Sequence, residues 1–225
     1  EFKYQTEKRG KEMARDLEVI MLSGQVSAVH GSSATGNIQA LARKMGAYQA
    51  YSTVNVVAGT AAAATGSGAV TGAGNGTNIA VAQSGHTNIA VTLADINEVL
   101  RAINGVTSAA PSKLMMSTTN KVRFSDLMTG TTNVRRNIDE KGKLKQSVDL
   151  YESDFGDVEL VHNYLMGNTE IFVYDPSTMS INTLRPLHFR DISEDGDSLR
   201  SFLVQEITFE AKAPTGNGVI LDILA

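Results

Sequence analysis

Residues 200–211 read RSFLVQEITFEA, and their alternation decides the fold class. Leu203, Ile207 and Phe209 alternate with Val204, Glu206, Thr208 and Glu210, the period of a strand with one apolar face. Working back from it, Val148–Tyr151, Val158–Asn163 and Glu170–Tyr174 read as strands, and Gly218–Leu224 as a final one. Turn residues separate them, at Asp154-Phe155-Gly156-Asp157, Asp175-Pro176 and Glu194-Asp195-Gly196-Asp197. At the other end of the chain the period changes. From Tyr4 to Gly24, Met13, Leu17, Ile20 and Met21 recur at three- and four-residue spacing with Ala14 beside them. Glu7, Lys8, Lys11, Glu12, Arg15, Asp16 and Glu18 lie opposite, and Glu7 with Lys11 has the favourable i,i+4 order. A long amphipathic helix followed by a β-rich last third is an α+β pattern.

Between these ends the signals are mixed. Residues 35–44 read as a short helix or a loop. Thr53 to Thr92 is nearly free of charge, with Ala61–Ala64 followed by Gly66, Gly68, Gly72, Gly74 and Gly76. Such a stretch is costly to order and predicts a long loop, with short strands at Asn78–Val81 and Asn88–Val91. Thr92, with Asp95 three residues later, predicts the start of a helix carrying Leu93, Ile96, Val99, Leu100 and Ile103, ended by Gly105. A strand over Lys113–Ser117 and a helix over Asn120–Met128 follow. Arg135, Arg136, Lys141, Lys143 and Lys145 make a basic stretch with Gly142 at a hairpin tip.

The totals narrow the function. The 225 residues carry 20 Lys+Arg and 24 Asp+Glu, a net charge of −4 that argues against a generally basic nucleic-acid coat. With no cysteine, disulfides, cysteine zinc sites and cysteine nucleophiles are excluded. No run approaches the ~18 apolar residues of a membrane span.

Catalytic patterns are lacking. His30, His86, His162 and His188 show no i,i+4 metal spacing, and no G-x-S-x-G accompanies a serine. Gly72-Ala73-Gly74-Asn75-Gly76 lacks the Gly-Lys-Ser/Thr ending of a phosphate loop, and no cofactor is implied. Asp191, Glu194, Asp195 and Asp197 place oxygens around Gly196, yet the last glutamate of a twelve-residue calcium loop is missing, and a solvated turn explains them more simply. The basic stretch suits a solvated hairpin, nucleic acid or the acidic face of a neighbour.

Several stretches, in order, resemble one family. They are Tyr4-Gln5, Lys8 to Glu12, Arg15 to Glu18 and Arg43-Lys44-Met45-Gly46 in the first part of the chain. In the last part they are Val148 to Gly156, Val173-Tyr174-Asp175-Pro176, Leu184-Arg185-Pro186, Gly196-Asp197-Ser198 and Glu206 to Glu210. This set is similar to the major capsid proteins of tailed bacteriophages with the Hong Kong 97-like capsid fold. Residues 57–83 lie outside the likeness, and Ile192-Ser193-Glu194-Asp195 departs from the more basic or apolar run expected there.

The resemblance implies a long spine helix, a peripheral domain sheet and an axial domain. Residues 1–52 would hold the spine helix and the start of the peripheral domain, 53–145 mainly the axial domain, and 146–225 the strands returning through both. The family's N-terminal arm and extended hairpin loop, which precede the spine helix, are not matched. The implied function is a self-assembling structural protein, not an enzyme, forming hexamers and pentamers of an icosahedral head around double-stranded DNA. Implied partners are further copies, scaffold or decoration proteins and DNA bound without sequence specificity, with no membrane. The implied place is the virion, assembled in the bacterial cytoplasm. Glu7, Lys11, Arg15, Arg135, Arg136, Lys141, Lys143 and Lys145 are the expected subunit-interface residues. The competing readings are an encapsulin-like compartment shell, a hydrolase built around His162, and a β-rich adhesin suggested by the Gly/Ala/Thr loop.

Overall fold

The structure, a computed structural model, describes residues 2–27, 44–52, 55–57, 90–107, 110–130, 148–192 and 200–223. Its helices are α1 (Phe2–Leu22), α2 (Tyr48–Tyr51), α3 (Leu93–Thr107) and α4 (Thr118–Gly130). Its strands are β1 (Asn55–Val57), β2 (Lys113–Met116), β3 (Leu150–Ser153), β4 (Gly156–His162), β5 (Ile171–Tyr174), β6 (Met179–Asp191), β7 (Ser201–Ala211) and β8 (Gly218–Ile220). Mixed helix and strand, with helices against antiparallel and parallel pairs, is the α+β class expected.

Six strands form one mixed sheet in the order β1-β8-β5-β2-β4-β3. The β1–β8 and β2–β4 pairs are parallel, and β8–β5, β5–β2 and β4–β3 are antiparallel. Side-chain alternation sends each strand's residues to two different cores. Leu114, Met116, Val158, Leu160, Ile171, Val173 and Ile220 meet Ile96, Val99, Leu100 and Ile103 of α3 and Phe124 of α4. From the other face, Phe172 and Val219 meet Leu22 at the end of α1, Tyr48 of α2 and Phe209 of β7. Both faces are covered, which is why β5 and β8 read as continuous apolar runs.

The start of α3 is the reciprocal cap that its sequence predicts. The Thr92 amide and hydroxyl each donate to the Asp95 carboxylate at 2.8 Å, and the Asp95 amide donates back to the Thr92 hydroxyl at 3.4 Å. Gly105, however, does not end α3, which runs on to Thr107. Gly105 is exposed and costs about 1 kcal/mol there, less than the burial of the helix's apolar face supplies. The Thr107 hydroxyl donates to the Ile103 carbonyl at 2.9 Å and closes the last turn.

Other differences share one cause, pairing over long sequence separations. β1 lies within the stretch expected to be loop, because β8, far away in the chain, supplies its ladder. β3 runs Leu150–Ser153 rather than Val148–Tyr151, its register set by the tight turn at Asp154 and Phe155. Gly156 follows that turn with φ +127°, a conformation that favours glycine. β6 was not expected at all. It is the longest strand, thirteen residues, and it pairs with β7 in a separate two-stranded ribbon. Residues 35–44 and the strand expected at 78–81 lie outside the described residues, apart from Lys44. The strand expected at 88–91 is described only at Ala90 and Val91, where there is none.

Candidate assembly surface

The ribbon and α1 form the most exposed part of the described chain. Along α1 only a narrow stripe is covered: Thr6, Gly10, Glu12, Met13, Leu17 and Met21 are half-buried and Leu22 is buried. Ile20 and Ala14, expected on the apolar face, are exposed, because α1 has a two-stranded ribbon beside it and not a full sheet. Glu7, Lys11 and Arg15 are exposed on α1, as their spacing predicts. An ion pair on this helix joins Arg9 to Glu12 at 2.6 Å. The remaining expected interface residues, Arg135, Arg136, Lys141, Lys143 and Lys145, lie outside the described residues.

The ribbon has two unlike faces. On one, Glu210 accepts from the Ser180 hydroxyl at 2.9 Å and from the Asn182 amide at 2.7 Å. These bonds hold its carboxyl below the usual glutamate range. Further along, Arg185 lies 3.3 Å from Glu206, and the Arg190 guanidinium sits 5.8 Å above the Phe202 ring. This face satisfies its own polar groups. On the other face, toward α1, lie Ile181, Leu203 and Ile207, exposed or only partly covered, with Phe209 buried at the ribbon's base.

The base of the ribbon is clamped. The chain leaves the sheet through a 3-10 turn at Pro176–Thr178, capped by Asp175, whose carboxylate accepts from the Ser177 amide at 2.9 Å. It returns through a second 3-10 turn at Pro214–Gly216. Asn217, buried, ties the two together. Its amide donates to the Thr178 hydroxyl at 3.1 Å and to the Ala213 carbonyl at 2.9 Å, and its oxygen accepts from the Asp175 amide at 3.2 Å. Asn55 adds a third strand to the knot, donating to the carbonyls of Thr215 and Asn217 at 2.7 and 2.9 Å. The ribbon's direction therefore depends on buried amides, which sequence periodicity does not register.

Where α1, the sheet and the ribbon meet, an apolar groove of about 440 Å³ remains open. Met21, Met115, Met179, Phe172 and Tyr174 line it, with Glu18 and Asn163 at its rim. The Asn163 amide donates to Glu18 at 2.6 Å, joining α1 to the end of β4. A second groove, about 720 Å³, runs between Leu17 and Ile20 of α1 and Leu184 and Ile207 of the ribbon. The helix and ribbon thus touch without filling the space between them.

Two buried polar groups hold α2 against the sheet. The Tyr48 hydroxyl reaches the carbonyls of Val173 and Gly218 at 2.8 and 2.9 Å, and its ring stacks on Phe172 with centroids 4.3 Å apart. Burial pushes its pKa well up. Gln49 donates to Glu170, in the loop before β5. Burial raises the Glu170 pKa from 4.5 to about 7.

The remaining candidates disperse. His162, at the end of β4, and His188, on β6, are exposed, while His30 and His86 lie outside the described residues. Of the acidic turn only Asp191 is described, at the exposed end of β6. Among the described residues no three His, Asp or Glu groups are placed to hold a metal ion.

The model of the SU10 major capsid protein family matches residues 1–224. The major capsid protein of Escherichia phage Phieco32 is 26% identical over 237 residues, covering 98% of this chain and 67% of that protein. A chain of the satellite phage P4 procapsid with its size determination protein is similar over 98% of this chain and 64% of that one, at 9% identity and a TM-score of 0.49. An encapsulin complex of Synechococcus elongatus is similar over 60% of this chain and 50% of that one, at 13% identity and a TM-score of 0.42. The chain thus spans about two thirds of the curated relative's length and less of these solved chains.

Proposed function

This chain belongs to the SU10 major capsid protein family, so its role is structural, and on that premise we propose that it forms the folded tile of an icosahedral phage head. The observation that carries the reading is the family match over residues 1–224, which takes in the six-stranded sheet, the ribbon and α1 together. The tile has no catalytic step to perform. Its chemistry is association.

In this reading the architecture is Hong Kong 97-like. α1 is the spine helix, the ribbon is the sheet of a peripheral domain, and the six-stranded sheet with α3 and α4 is the axial domain. Support comes from the division of the molecule into a doubly covered sheet and a long, thinly covered helix-and-ribbon arm. The domain limits are those expected from the resemblance: 1–52, 53–145 and 146–225. The tile joins others as hexamers and pentamers through head-to-tail contacts that close into rings. Scaffold or decoration proteins act beside it, and double-stranded DNA is enclosed without sequence reading. Assembly takes place in the bacterial cytoplasm, and the product is the virion shell. Glu7, Lys11 and Arg15 on α1, with Arg135, Arg136, Lys141, Lys143 and Lys145, form inter-subunit ion pairs. Each is worth about 0–1 kcal/mol, so the effect comes from repetition over many copies.

Electron microscopy of the full-length protein expressed alone tests the reading. Closed shells, or rings of five or six, are expected. Dispersed small particles across a range of salt and concentration would overturn self-assembly. Arg135→Glu with Arg136→Glu is expected to block or slow shell formation, and normal shells from that variant would remove these residues from the interface.

A further inference from the structure

The β6–β7 ladder changes register twice in its middle. Pairing runs from Met179↔Ala211 to Thr183↔Ile207 and resumes from His188↔Val204 to Asp191↔Ser201, with only Arg185↔Glu206 between. Leu184 has no residue opposite, and Pro186 and Leu187 together face Gln205 alone. Bulges of this kind re-aim side chains and stop an edge from accepting another strand. Pro186 also lacks the N–H that an added strand would need. The bulged segment is therefore built for side-chain contact and not for ladder extension. It presents apolar groups: Leu184 is 76% exposed, the most of any large apolar side chain among the described residues, and Leu187 is 47% exposed.

The same chain carries a socket. The 440 Å³ groove at the ribbon base is lined by three methionines, Met21, Met115 and Met179, with Phe172. Methionine adapts its shape to what enters. The chain's own Leu184 cannot enter, because Ile181, three residues before it on β6, is part of the groove wall. At roughly 3.3 Å per residue that places Leu184 about 10 Å beyond it along an ordered strand.

Charge matches the two features. β6 contains Arg185, His188 and Arg190, with one acidic residue, Asp191, at its far end. From Asp16 to Leu22, α1 contains Asp16 and Glu18 and no basic residue, and Glu18 is the charged side chain at the groove's rim. Arg185 flanks Leu184; it lies 3.3 Å from Glu206 of its own ribbon, and with its side chain 62% exposed it has donors left for a second carboxylate.

We propose that Leu184, Pro186 and Leu187 of one copy of this chain insert into the methionine-lined groove at the ribbon base of a second copy, bringing Arg185 to Glu18 at the rim. The proposal rests on the shell reading and adds to it a location and a direction. Knob and socket are different patches, so the contact is heterologous and propagates head to tail.

These 225 residues hold no cysteine, and any cysteine that the full-length protein carries outside them is first replaced by serine. Full-length Leu184→Cys and full-length Met21→Cys, one of them tagged, are mixed, assembled and oxidised. A disulfide-linked heterodimer is expected in the mixture, with neither variant linking to itself. Shells that form without this heterodimer, or with only Leu184→Cys homodimers, overturn the contact. Absence of shells from the unaltered full-length protein would remove the shell reading and this contact together. As a second arm, Leu184→Asp is expected to melt as the parent does while assembling about tenfold more weakly or worse. Assembly at the parental level would count against the proposal.

Discussion

The six-stranded sheet and the β6–β7 ribbon are made of the same kinds of residue but are stabilised differently. In the sheet, Ile171 to Val173 and Gly218 to Ile220 are all buried, since helices cover one face and α2 with the end of α1 covers the other. In β6, eleven of thirteen residues are exposed, although four of them are large apolar side chains. A two-stranded ribbon is marginal alone, so β6 and β7 keep their direction through the clamp at Asn217 and the light contact with α1. Stability resides in the sheet, while the ribbon leaves apolar side chains uncovered.

Breaking the sheet should cost most. Phe172→Ala removes a fully buried ring stacked on Tyr48 and is expected to destabilise by about 3–5 kcal/mol, read by chemical denaturation. A loss of under 1 kcal/mol would mean that the sheet does not carry the fold. Asn217→Ala tests the joint between the regions. It unpairs bonds to Asp175, Thr178 and Ala213 and should cost about 2 kcal/mol. Hydrogen exchange should rise throughout the ribbon but little in β5, and equal rises in both would show that the regions unfold as one.

Glu170→Gln sharpens the comparison through pH. In the folded chain Glu170 titrates near 7, raised from 4.5 by burial. A carboxyl with a raised pKa binds its proton more tightly folded than unfolded, so stability falls as pH rises from about 4.5 to about 7 and then levels. The glutamine variant keeps an acceptor for Gln49 without the charge. It should gain on the order of 1 kcal/mol at pH 8 and nothing at pH 4, after allowance for partial solvent screening. Parallel melting curves at the two pH values for both proteins measure this, and an equal shift at both would rule out the carboxylate as the cause. The smallest effect is expected in the ribbon itself. Leu184→Ser should change the melting free energy by less than about 0.5 kcal/mol, because the side chain is already largely in water. A larger loss would place Leu184 in the core of the isolated chain.

How much of this was legible beforehand depended on the range of the interactions. Met13, Leu17 and Met21 place α1, Thr92 and Asp95 place the start of α3, and Leu203, Ile207 and Phe209 place β7, because local period and capping chemistry act within a few residues. β6 escaped for an equally physical reason. Its apolar residues Ile181, Leu184, Leu187 and Phe189 keep no period of two, since bulges interrupt the ladder and Pro186 resembles a break. A proline within an apolar run is the one local sign of such an edge strand. The groove could not be foreseen, as Met21, Met115 and Met179 are far apart in the chain and are brought together by the fold.

The sequence by itself determined the class of the fold, the amphipathic α1 with Glu7, Lys11 and Arg15 outward, and the absence of cysteine chemistry. Order in the ordered stretch of the likeness also led to the capsid family. Tertiary structure alone decided that β1 joins β8, that Asn217 locks the ribbon to the sheet, and that Leu184 stands exposed while Phe172 is sealed. Those outcomes depend on which distant segments share a ladder or a core, and burial is a property of neighbours that no local pattern encodes.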